Sequence, residues 1–305
     1  MSCILCQKNE FDIVSSKDAK NNALLKVVFC KNCGMIQQDP IPSEDAVNDY
    51  YSNEYREDYK KTSTPKIKHV YRAGKLALER IEFLKERNIL QGNLLDVGAG
   101  GGEFTYLSSK LGYNSEGIEP NVGYSNFARK EYGINIQTGH LSDVCQKFDL
   151  ITMFHALEHI PNPIKTFKLL YELLKNDGSL FIEVPNIETK DASPHNIYFK
   201  AHIHYFSAST LTSTASKYFE KIDEDIGSNL RILFKRKDTV EEDFTYPSLY
   251  QVNQSALRIQ EKGWLEYLIN GRGYKKLPLR IKQLYTEARL NYESSIEVLD
   301  DILKS

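Results

Sequence analysis

Short apolar runs alternate with amphipathic segments through the middle of the chain. Seven of the runs have the length and composition of strands, namely LLDV, NSEGIE, INIQT, FDLITMF, SLFIEVP, YFEKIDEDI and RILFKRK. Helices are predicted between the first five, beginning near Glu103, Val122, Leu141 and Pro163. This alternation predicts an α/β fold in which helices cover both faces of a parallel, Rossmann-like sheet. The last two runs, joined by GSN, predict an antiparallel hairpin at the sheet edge.

The pattern changes on either side of this region, and it divides the chain into four parts. Residues 1–40 combine strand-like pieces, such as ALLKVVFC, with two pairs of cysteines. Residues 41–90 are tyrosine-rich and end in the amphipathic helix YRAGKLALERIEFLKERNI. Residues 91–237 contain the seven strands, and residues 238–305 are helical again. We therefore expect a small N-terminal module, connecting helices, a seven-stranded domain and a C-terminal helical region.

Composition narrows the classes of protein. The 305 residues are 41% hydrophobic and 26% charged, which is typical of a globular protein. The net charge of -2 gives no overall attraction for nucleic acid. No apolar run approaches the length of a membrane span, and the first residues lack the pattern of a signal peptide. We therefore expect a cytoplasmic protein.

Four of the five cysteines form two C-x2-C pairs, Cys3 with Cys6 and Cys30 with Cys33. In a reducing compartment such pairs indicate a metal site more than disulfides. Gly34, directly after the last cysteine, permits the sharp turn of a zinc knuckle. Four thiolates leave no open position, so the predicted zinc ion has a structural role. The ligand type also permits an iron–sulfur cluster, although the spacing favours zinc.

The glycine-rich turn LDVGAGGGEF, residues 95–104, follows the first strand of the sheet. A dinucleotide fingerprint requires a glycine where Glu103 stands, and a P-loop requires a Gly-Lys-Ser/Thr sequence that is missing. What remains is D-x-G-x-G-x-G, from Asp96 to Gly102. Glycines let the backbone approach a ligand closely because they carry no Cβ.

Three segments together, LLDVGAGGGEF, EGIEPN and FDLITMFHALEHIPNP, resemble the class I S-adenosylmethionine (SAM) methyltransferases. The resemblance implies that Asp96 faces the ammonium group of SAM and that Glu119 binds the ribose hydroxyls. It also implies that the backbone of His140 and Leu141 lies beside the adenine and that His155 lies at the methionine end. The cofactor residues expected from it are Asp96, Gly98, Ala99, Gly100, Glu119, Pro120, His140, Leu141, Phe154 and His155. Glu158 and His159 are expected to orient the turn that follows.

A zinc module before such a domain resembles bacterial methyltransferases that act on nucleotide-linked deoxysugars, including sugar C-methyltransferases. The resemblance implies that the tyrosine-rich segment, with Tyr51 and Tyr55, lines the substrate cleft together with Tyr198. The stretch EVPNIETKDASPHNIYFKAHIHYFSAST holds three histidines, and its FS aligns His202 with the base of that family. Ala201 stands where the family has a glutamate, which leaves O-methylation as an alternative to C-methylation.

His195 and His204 are expected to assist His202 in catalysis. The same histidines also permit a metal site of the His-x-His type, or hydrogen bonds that hold the loop together. The overall prediction is a SAM-dependent methyltransferase for a small hydrophilic acceptor, such as an activated sugar or surface-glycan precursor. An RNA methyltransferase that grips RNA through the zinc module and a non-catalytic SAM-binding assembly subunit remain alternatives. The C-terminal helices are expected to cap the cleft or to form a homodimer contact.

Overall fold

The computed structural model describes residues 2–49 and 65–304. All seven predicted strands of the central domain are present in it, and there are four further strands, one of which lies in the strand-like piece ALLKVVFC. In chain order the strands are β1 (Phe11–Lys17), β2 (Leu24–Cys30), β3 (Ile36–Gln38), β4 (Gly92–Val97), β5 (Tyr113–Glu119), β6 (Asn135–Thr138), β7 (Phe148–Phe154), β8 (Leu174–Pro185), β9 (His204–Tyr205), β10 (Phe219–Ile226) and β11 (Asn229–Arg236).

The seven predicted strands form one mixed sheet in the order β10-β11-β8-β7-β4-β5-β6. Strand β4 pairs in parallel with β5 and β7, and β5 pairs in parallel with β6. Strands β10 and β11 form the antiparallel hairpin predicted from GSN. The seven-stranded α/β fold class is therefore confirmed.

Helices occupy the predicted connections and the C-terminal region. In chain order they are α1 (Glu44–Asp49), α2 (Ile67–Glu86), α3 (Glu103–Lys110), α4 (Val122–Tyr132), α5 (Pro163–Leu173), α6 (Ala208–Ala215), α7 (Leu249–Gln260), α8 (Trp264–Ile269), α9 (Lys276–Ala288) and α10 (Ser295–Lys304). The helix expected near Leu141 is a single 3-10 turn, Leu141–Asp143. Within the described residues, no helix has both the length and the apolar character needed to cross a membrane.

A second, four-stranded sheet has the order β1-β2-β3-β9. Its first three strands come from the cysteine-containing segment, whereas β9 comes from the stretch with three histidines. The register pairs Ile36 with Tyr205 and Gln37 with His204. Buried residues of this sheet pack with Val252 and Ile259 of α7 in one hydrophobic cluster. The histidine stretch is thus not a free loop, because β9 belongs to the sheet of the N-terminal segment.

Contacts group the described residues into two compact units. The first comprises Met1–Val47, His155–Glu172 and Leu180–Arg280, and the second comprises Asn48–Phe154, Leu173–Ser179 and Ile281–Ser305. The domain boundaries expected near residues 40, 90 and 237 stay predictions.

The last helix of the second unit packs against α2 at a glycine. Helix α2 buries one face that includes Val70, Ala77 and Ile81. A Cβ on Gly74 would lie 2.7 Å from Leu299 Cδ2 and 2.8 Å from Ile302 Cδ1. Glycine is therefore required for the close approach of α10. A hydrogen bond from the Tyr106 hydroxyl to Asp300 Oδ1 (2.6 Å) also holds α10 in this position.

We expect Gly74→Val to lower the free energy of unfolding by about 1–3 kcal/mol, because the new side chain overpacks the contact with α10. Urea unfolding followed by circular dichroism measures the change. Gly263→Val is the matched control, because a Cβ at Gly263 has no atom within 4 Å and the backbone is extended there. Equal stabilities of the two variants would contradict the described packing of α2 on α10.

Candidate functional site

The glycine-rich turn folds back on the end of β5. The amides of Gly98 and Ala99 both donate to the carbonyl of Ile118, at 2.9 and 3.1 Å. Gly98, Gly100 and Gly102 have φ angles of 74°, 58° and 86°. These values lie in the left-handed region, which glycine adopts without strain. The turn therefore exposes backbone without intervening side chains, as the sequence predicts for a loop that contacts a ligand.

Glu119 is oriented by two backbone amides of this region. Gly100 N donates to Oε2 at 2.8 Å, and Asn121 N donates to Oε1 at 3.0 Å. The two amides therefore hold the carboxylate in a fixed orientation at the end of β5.

Asp96 lies at the end of β4 and is buried. Its oxygens accept hydrogen bonds from the hydroxyls of Thr152 (2.9 Å) and Thr105 (3.1 Å). Burial raises the pKa of Asp96 to about 6, although the two hydroxyls and the charge of Arg80 oppose the shift. Desolvation destabilises the charged form of Asp96. A cationic group that approached it would stabilise that form, because an opposite charge favours ionisation.

The other predicted cofactor residues differ in their contacts and burial. The amide of His140 donates to Asp143 Oδ2 at 2.8 Å, so a contact from this amide to a ligand would have to displace Asp143. The Phe154 ring packs edge-on against Phe104 at 4.8 Å, and the Arg80 guanidinium lies 4.1 Å from its centroid. Ala99 is buried, and Pro120 and Leu141 are half-buried.

His155, directly after β7, is held between two carboxylates. Its Nε2 donates to Glu183 Oε1 at 3.0 Å, and its Nδ1 lies 3.5 Å from Glu158 Oε1. Desolvation opposes protonation, but the two carboxylates raise the pKa of His155 to about 9. Glu183 also accepts from Arg231 Nε at 2.8 Å. His155 therefore holds a proton at neutral pH and is not suited to be a general base.

The backbone of His155 is strained, with a φ angle of 51°. Its amide donates to the carbonyl of Glu183 at 2.8 Å, which fixes this conformation. Side chains other than glycine, asparagine, aspartate and histidine are uncommon at such angles. Strain of this kind often occurs at functional sites, where surrounding contacts hold it.

A cavity of about 320 Å³ lies in the first unit, beside the histidine stretch. Its lining mixes polar side chains with apolar ones such as Ile187 and Ile197. The lining residues that carry a charge or an imidazole ring are Glu158, Asp191, His202, His204, Lys262 and Lys276. The structure thus brings His202 and His204 to one cavity, as expected, and adds two lysines from the C-terminal region. His195 and Tyr198 do not belong to its lining among the described residues.

The three histidines differ in environment. His204 is fully buried, its Nε2 donates to the carbonyl of Pro161 at 3.0 Å, and burial lowers its pKa to about 4. His202 is partly accessible, and burial lowers its pKa to about 3. His195 lies against Trp264, with 5.1 Å between the ring centroids. His202 is therefore neutral at pH 7. An efficient general base has a pKa near the working pH, so His202 would be a weak base.

The predicted substrate tyrosines contribute less to this picture. Tyr198 packs edge-on against Tyr205 at 5.2 Å, beside the hydrophobic cluster of the four-stranded sheet. Its hydroxyl is buried without a hydrogen-bond partner among the described residues. Tyr51 and Tyr55 lie outside the described residues, so their assignment stays a prediction.

Glu158, which was predicted to orient the following turn together with His159, stands at the centre of a cluster of histidines. It is 1% exposed, and its Oε1 lies 3.8 Å from His159 Nε2 and 4.0 Å from His202 Nε2. Burial would raise its pKa, but His159 and protonated His155 lower it to about 2. The second buried carboxylate, Glu183, has one sign in the sequence, because it is a charged residue within the apolar strand SLFIEVP.

The four paired cysteines meet in one cluster. The Sγ atoms of Cys3 and Cys33, and those of Cys6 and Cys30, are each 3.5 Å apart. These distances exceed a disulfide bond and approach the edge of about 3.8 Å expected around tetrahedral zinc. All four sulfur atoms lie within 4.8 Å of one another. The cluster therefore fits a tetrahedral ion.

Both cysteine pairs have the same local backbone. The residue after each pair, Gln7 or Gly34, has a positive φ angle, 60° or 75°. Its amide donates to the carbonyl of the first cysteine of the pair, Cys3 at 3.0 Å or Cys30 at 2.8 Å. The first knuckle thus repeats the turn predicted at Gly34, although its sequence has no glycine there.

Two glutamines connect this cluster with the histidine stretch. The amide of Ile4, in the first knuckle, donates to Gln37 Oε1 at 2.9 Å. Gln38 Nε2 donates to the carbonyls of Lys200 (2.9 Å) and His202 (2.8 Å). The backbone of His202 is therefore held by a strand that is itself bonded to a knuckle.

Comparison with known proteins agrees with this geometry. Residues 68–218 match the family model of a methyltransferase domain. A ubiquinone biosynthesis O-methyltransferase of Actinobacillus pleuropneumoniae serotype 7 (strain AP76) is 34% identical over 122 residues, 35% of this chain and 52% of that protein. One of Coxiella burnetii (strain Dugway 5J108-111) is 30% identical over 116 residues, 35% of this chain and 50% of that protein. The chain thus spans about half the length of these curated relatives.

Among solved structures, the magnesium protoporphyrin IX methyltransferase of Synechocystis PCC 6803 with bound SAH is 14% identical. The likeness covers 64% of this chain and 100% of that chain, with a TM-score of 0.49. The assignment rests on the family match, the seven-stranded sheet and the glycine turn between Asp96 and α3. Together these features are those of a methyltransferase domain, whose family model residues 68–218 match.

Proposed function

We propose that the protein transfers the methyl group of SAM to a hydroxyl of a small polar acceptor, which binds in the cavity lined by Glu158 and His202. The observation that carries the cofactor assignment is the pair of buried carboxylates. Asp96 accepts hydrogen bonds from two neutral hydroxyls, and Glu119 is held in place by two backbone amides. This pair matches the needs of SAM, which offers a cationic ammonium and two ribose hydroxyls.

Methyl transfer to oxygen makes modest chemical demands on the protein. The acceptor oxygen attacks the methyl carbon in line, the bond from that carbon to sulfur breaks, and its electrons return to sulfur. The hydroxyl proton leaves, so the products are a methyl ether, S-adenosylhomocysteine and a proton. Positioning of the two reactants supplies most of the acceleration in such reactions. His202 is the predicted histidine that is both in the cavity lining and partly accessible, which supports its contact with the acceptor.

The cavity lining supports a hydrophilic acceptor. Besides Glu158 and the histidines it includes Asp191, Lys262 and Lys276, next to apolar side chains such as Ile187 and Ile197. An activated sugar carries both hydroxyls and phosphates, and the two ammonium groups match the phosphates. The relatives named above are O-methyltransferases of ubiquinone biosynthesis, so an aromatic hydroxyl is the competing acceptor class. We favour the sugar because its phosphates match the two lysines of the lining.

We further propose that the cysteine cluster binds a structural zinc ion. Cys3, Cys30 and Cys33 are buried, so four thiolates there require a cation to balance their charge. Cys3, Cys6, Cys30 and Cys33 would complete a tetrahedral shell, which leaves no position for a substrate. The ion would then stabilise the four-stranded sheet that includes β9.

The test of the function is an incubation with methyl-labelled SAM and two acceptor panels, nucleotide-activated sugars and catechols. Mass spectrometry identifies the labelled product. We expect Glu119→Gln to weaken SAM binding at least tenfold by calorimetric titration, because a neutral amide is a poorer acceptor for the ribose hydroxyls. Glu116→Gln, on the same strand, is the control. SAM binding without transfer to either panel would indicate a non-catalytic subunit, and the absence of SAM binding would refute the proposal.

Asp96→Asn is expected to stabilise the folded protein while it weakens SAM binding. The folded pKa of about 6 exceeds the ordinary value of 3.8, so the stability contributed by Asp96 is complete below pH 3.8 and falls as pH rises through 6. Asparagine removes this loss. The free energy of unfolding at pH 7.5 should therefore increase by up to about 3 kcal/mol.

Urea unfolding at pH 4 and pH 7.5 measures the effect of Asp96→Asn. Asp149→Asn is a control of opposite sign, because the hydrogen bond from Lys175 lowers the pKa of Asp149. Asp149 is partly exposed, so its loss should destabilise the protein by less than about 1 kcal/mol. A destabilised Asp96→Asn variant at pH 7.5 would contradict the account of a desolvated carboxylate.

Cys33→Ser is expected to release the proposed zinc ion and to loosen β9. Metal analysis of the purified protein should show the loss. Hydrogen exchange should show faster exchange of the Gln38 amide, which donates to the Ile203 carbonyl at 2.9 Å. Cys145→Ser is the control, because that cysteine is exposed and outside the cluster. Unchanged metal content in Cys33→Ser would contradict the zinc proposal.

A further inference from the structure

We propose that Glu158, His159 and His202 bind a divalent transition-metal ion in the wall of the cavity, and that this ion binds the acceptor oxygen. The second part rests on the proposed function, whereas the ion site itself does not. Within the described residues, the ligand atoms of these three side chains form one of two clusters compact enough for a metal ion. The other is the cysteine cluster.

The first argument is a buried carboxylate without hydrogen bonds. Both oxygens of Glu158 are inaccessible, and neither has a hydrogen-bond partner among the described residues. Protonated His155 is its nearest cationic group, with Nδ1 3.5 Å from Oε1, and this long ion pair offsets only part of the cost of burying the carboxylate. A metal ion bound to Glu158 would supply the remaining compensation. Asp96, Glu119 and Glu183, by contrast, each accept hydrogen bonds from at least two groups.

The second argument is the orientation of His159. Its Nδ1 lies 2.7 Å from the carbonyl oxygen of Ala201, which can only accept, so Nδ1 carries the hydrogen. Nε2 is then the ring nitrogen on the side of Glu158 Oε1, 3.8 Å away, and it is the nitrogen that can bind an ion through its lone pair. A backbone carbonyl that fixes the tautomer in this way is the usual outer partner of a metal-binding histidine.

The third argument is the placement of His202. Its Nε2 lies 4.0 Å from the same Glu158 oxygen, and its ring centroid lies 4.9 Å from that of His159. The three ligand atoms are all within 4.8 Å of one another, so small side-chain rotations would bring them to a common ion. The backbone of His202 is held by Gln38, which limits how far the ring can move.

The ligand set also indicates the kind of ion and its use. Two imidazoles and one carboxylate suit Zn²⁺, Fe²⁺, Mn²⁺ or Co²⁺ better than Mg²⁺ or Ca²⁺, which prefer oxygen ligands. Three protein ligands leave positions open, unlike the four thiolates of the cysteine cluster. Glu158 and His202 line the cavity, so an acceptor oxygen could occupy an open position. A bound cation lowers the pKa of such an oxygen. His202 would then be a ligand instead of the predicted base.

Titration with Co²⁺ tests the ion site directly. The full-length protein is first dialysed against a mild chelator, and the zinc content of the cysteine cluster is checked by metal analysis. We expect Co²⁺ to produce weak visible bands of nitrogen and oxygen ligation, without the intense thiolate bands of cobalt at the cysteines. Glu158→Gln and His202→Ala should each weaken Co²⁺ binding at least tenfold. His195→Ala is the matched control and should bind normally, since His195 lies outside the cavity lining.

Circular dichroism establishes that each variant is folded, and His202→Asn replaces any variant that is not. Wild-type protein without the weak bands, or Glu158→Gln and His202→Asn that bind as tightly as the wild type, would overturn the ion site. Methyl transfer that is unchanged after removal of this ion would overturn its role with the acceptor and leave the proposed function intact. If a separate titration shows that the wild-type protein does not bind SAM, the proposed function is refuted and the ion site is unaffected.

Discussion

The short backbone ladder between β3 and β9 is the constraint on which the candidate acceptor region depends. It pairs only Ile36 with Tyr205 and Gln37 with His204. This ladder nevertheless brings the cysteine knuckles and the histidine stretch into one sheet. Gln38 extends it with hydrogen bonds to the carbonyls of Lys200 and His202. The cysteine-containing N-terminal segment, whose composition resembles a separate zinc finger, is thus part of the same sheet as β9, next to His202.

Buried carboxylates distinguish the parts of the fold that are complete from those that require a ligand. Glu183 accepts from Arg231 and Asn229, and Glu119 accepts from two amides, so these two are satisfied within the protein. Among the described residues, Asp96 accepts hydrogen bonds from two neutral hydroxyls and feels the charge of Arg80, whereas Glu158 accepts no hydrogen bond. Asp96 and Glu158 are therefore the two buried carboxylates that a bound cation would stabilise most. Each of them is in a different candidate site.

Much of the fold could be predicted from the sequence because strands and helices leave periodic patterns. The runs from LLDV to RILFKRK became β4 to β8, β10 and β11, and the helices begin at Glu103, Val122 and Pro163 as predicted. Strand β9 could not be predicted, because two residues are too few to show alternation. The helix expected near Leu141 is one turn, in which the Asp143 side chain binds the amide of His140.

The candidate site was less predictable than the fold, for a physical reason. The cysteine pairs and the glycine turn carry their chemistry in local spacing, and the structure brings each of these groups together as expected. The environment of Glu158 depends on His202, which is distant in sequence, so no local pattern indicates it. His195 and His202 look equivalent in sequence, but only His202 reaches the cavity lining, because β9 determines which residues of the stretch turn inwards.

The pairing of β3 with β9 also has a consequence for the order of events during synthesis. The hydrogen bond from Gln38 to Lys200 joins residues 162 positions apart. Contacts of such long range form late, because the entropy of closing a long loop must first be overcome. Residues 2–38 leave the ribosome long before residue 205 is made. The knuckles can therefore take up the proposed ion early, while the edge of β3 stays open until most of the chain has been translated.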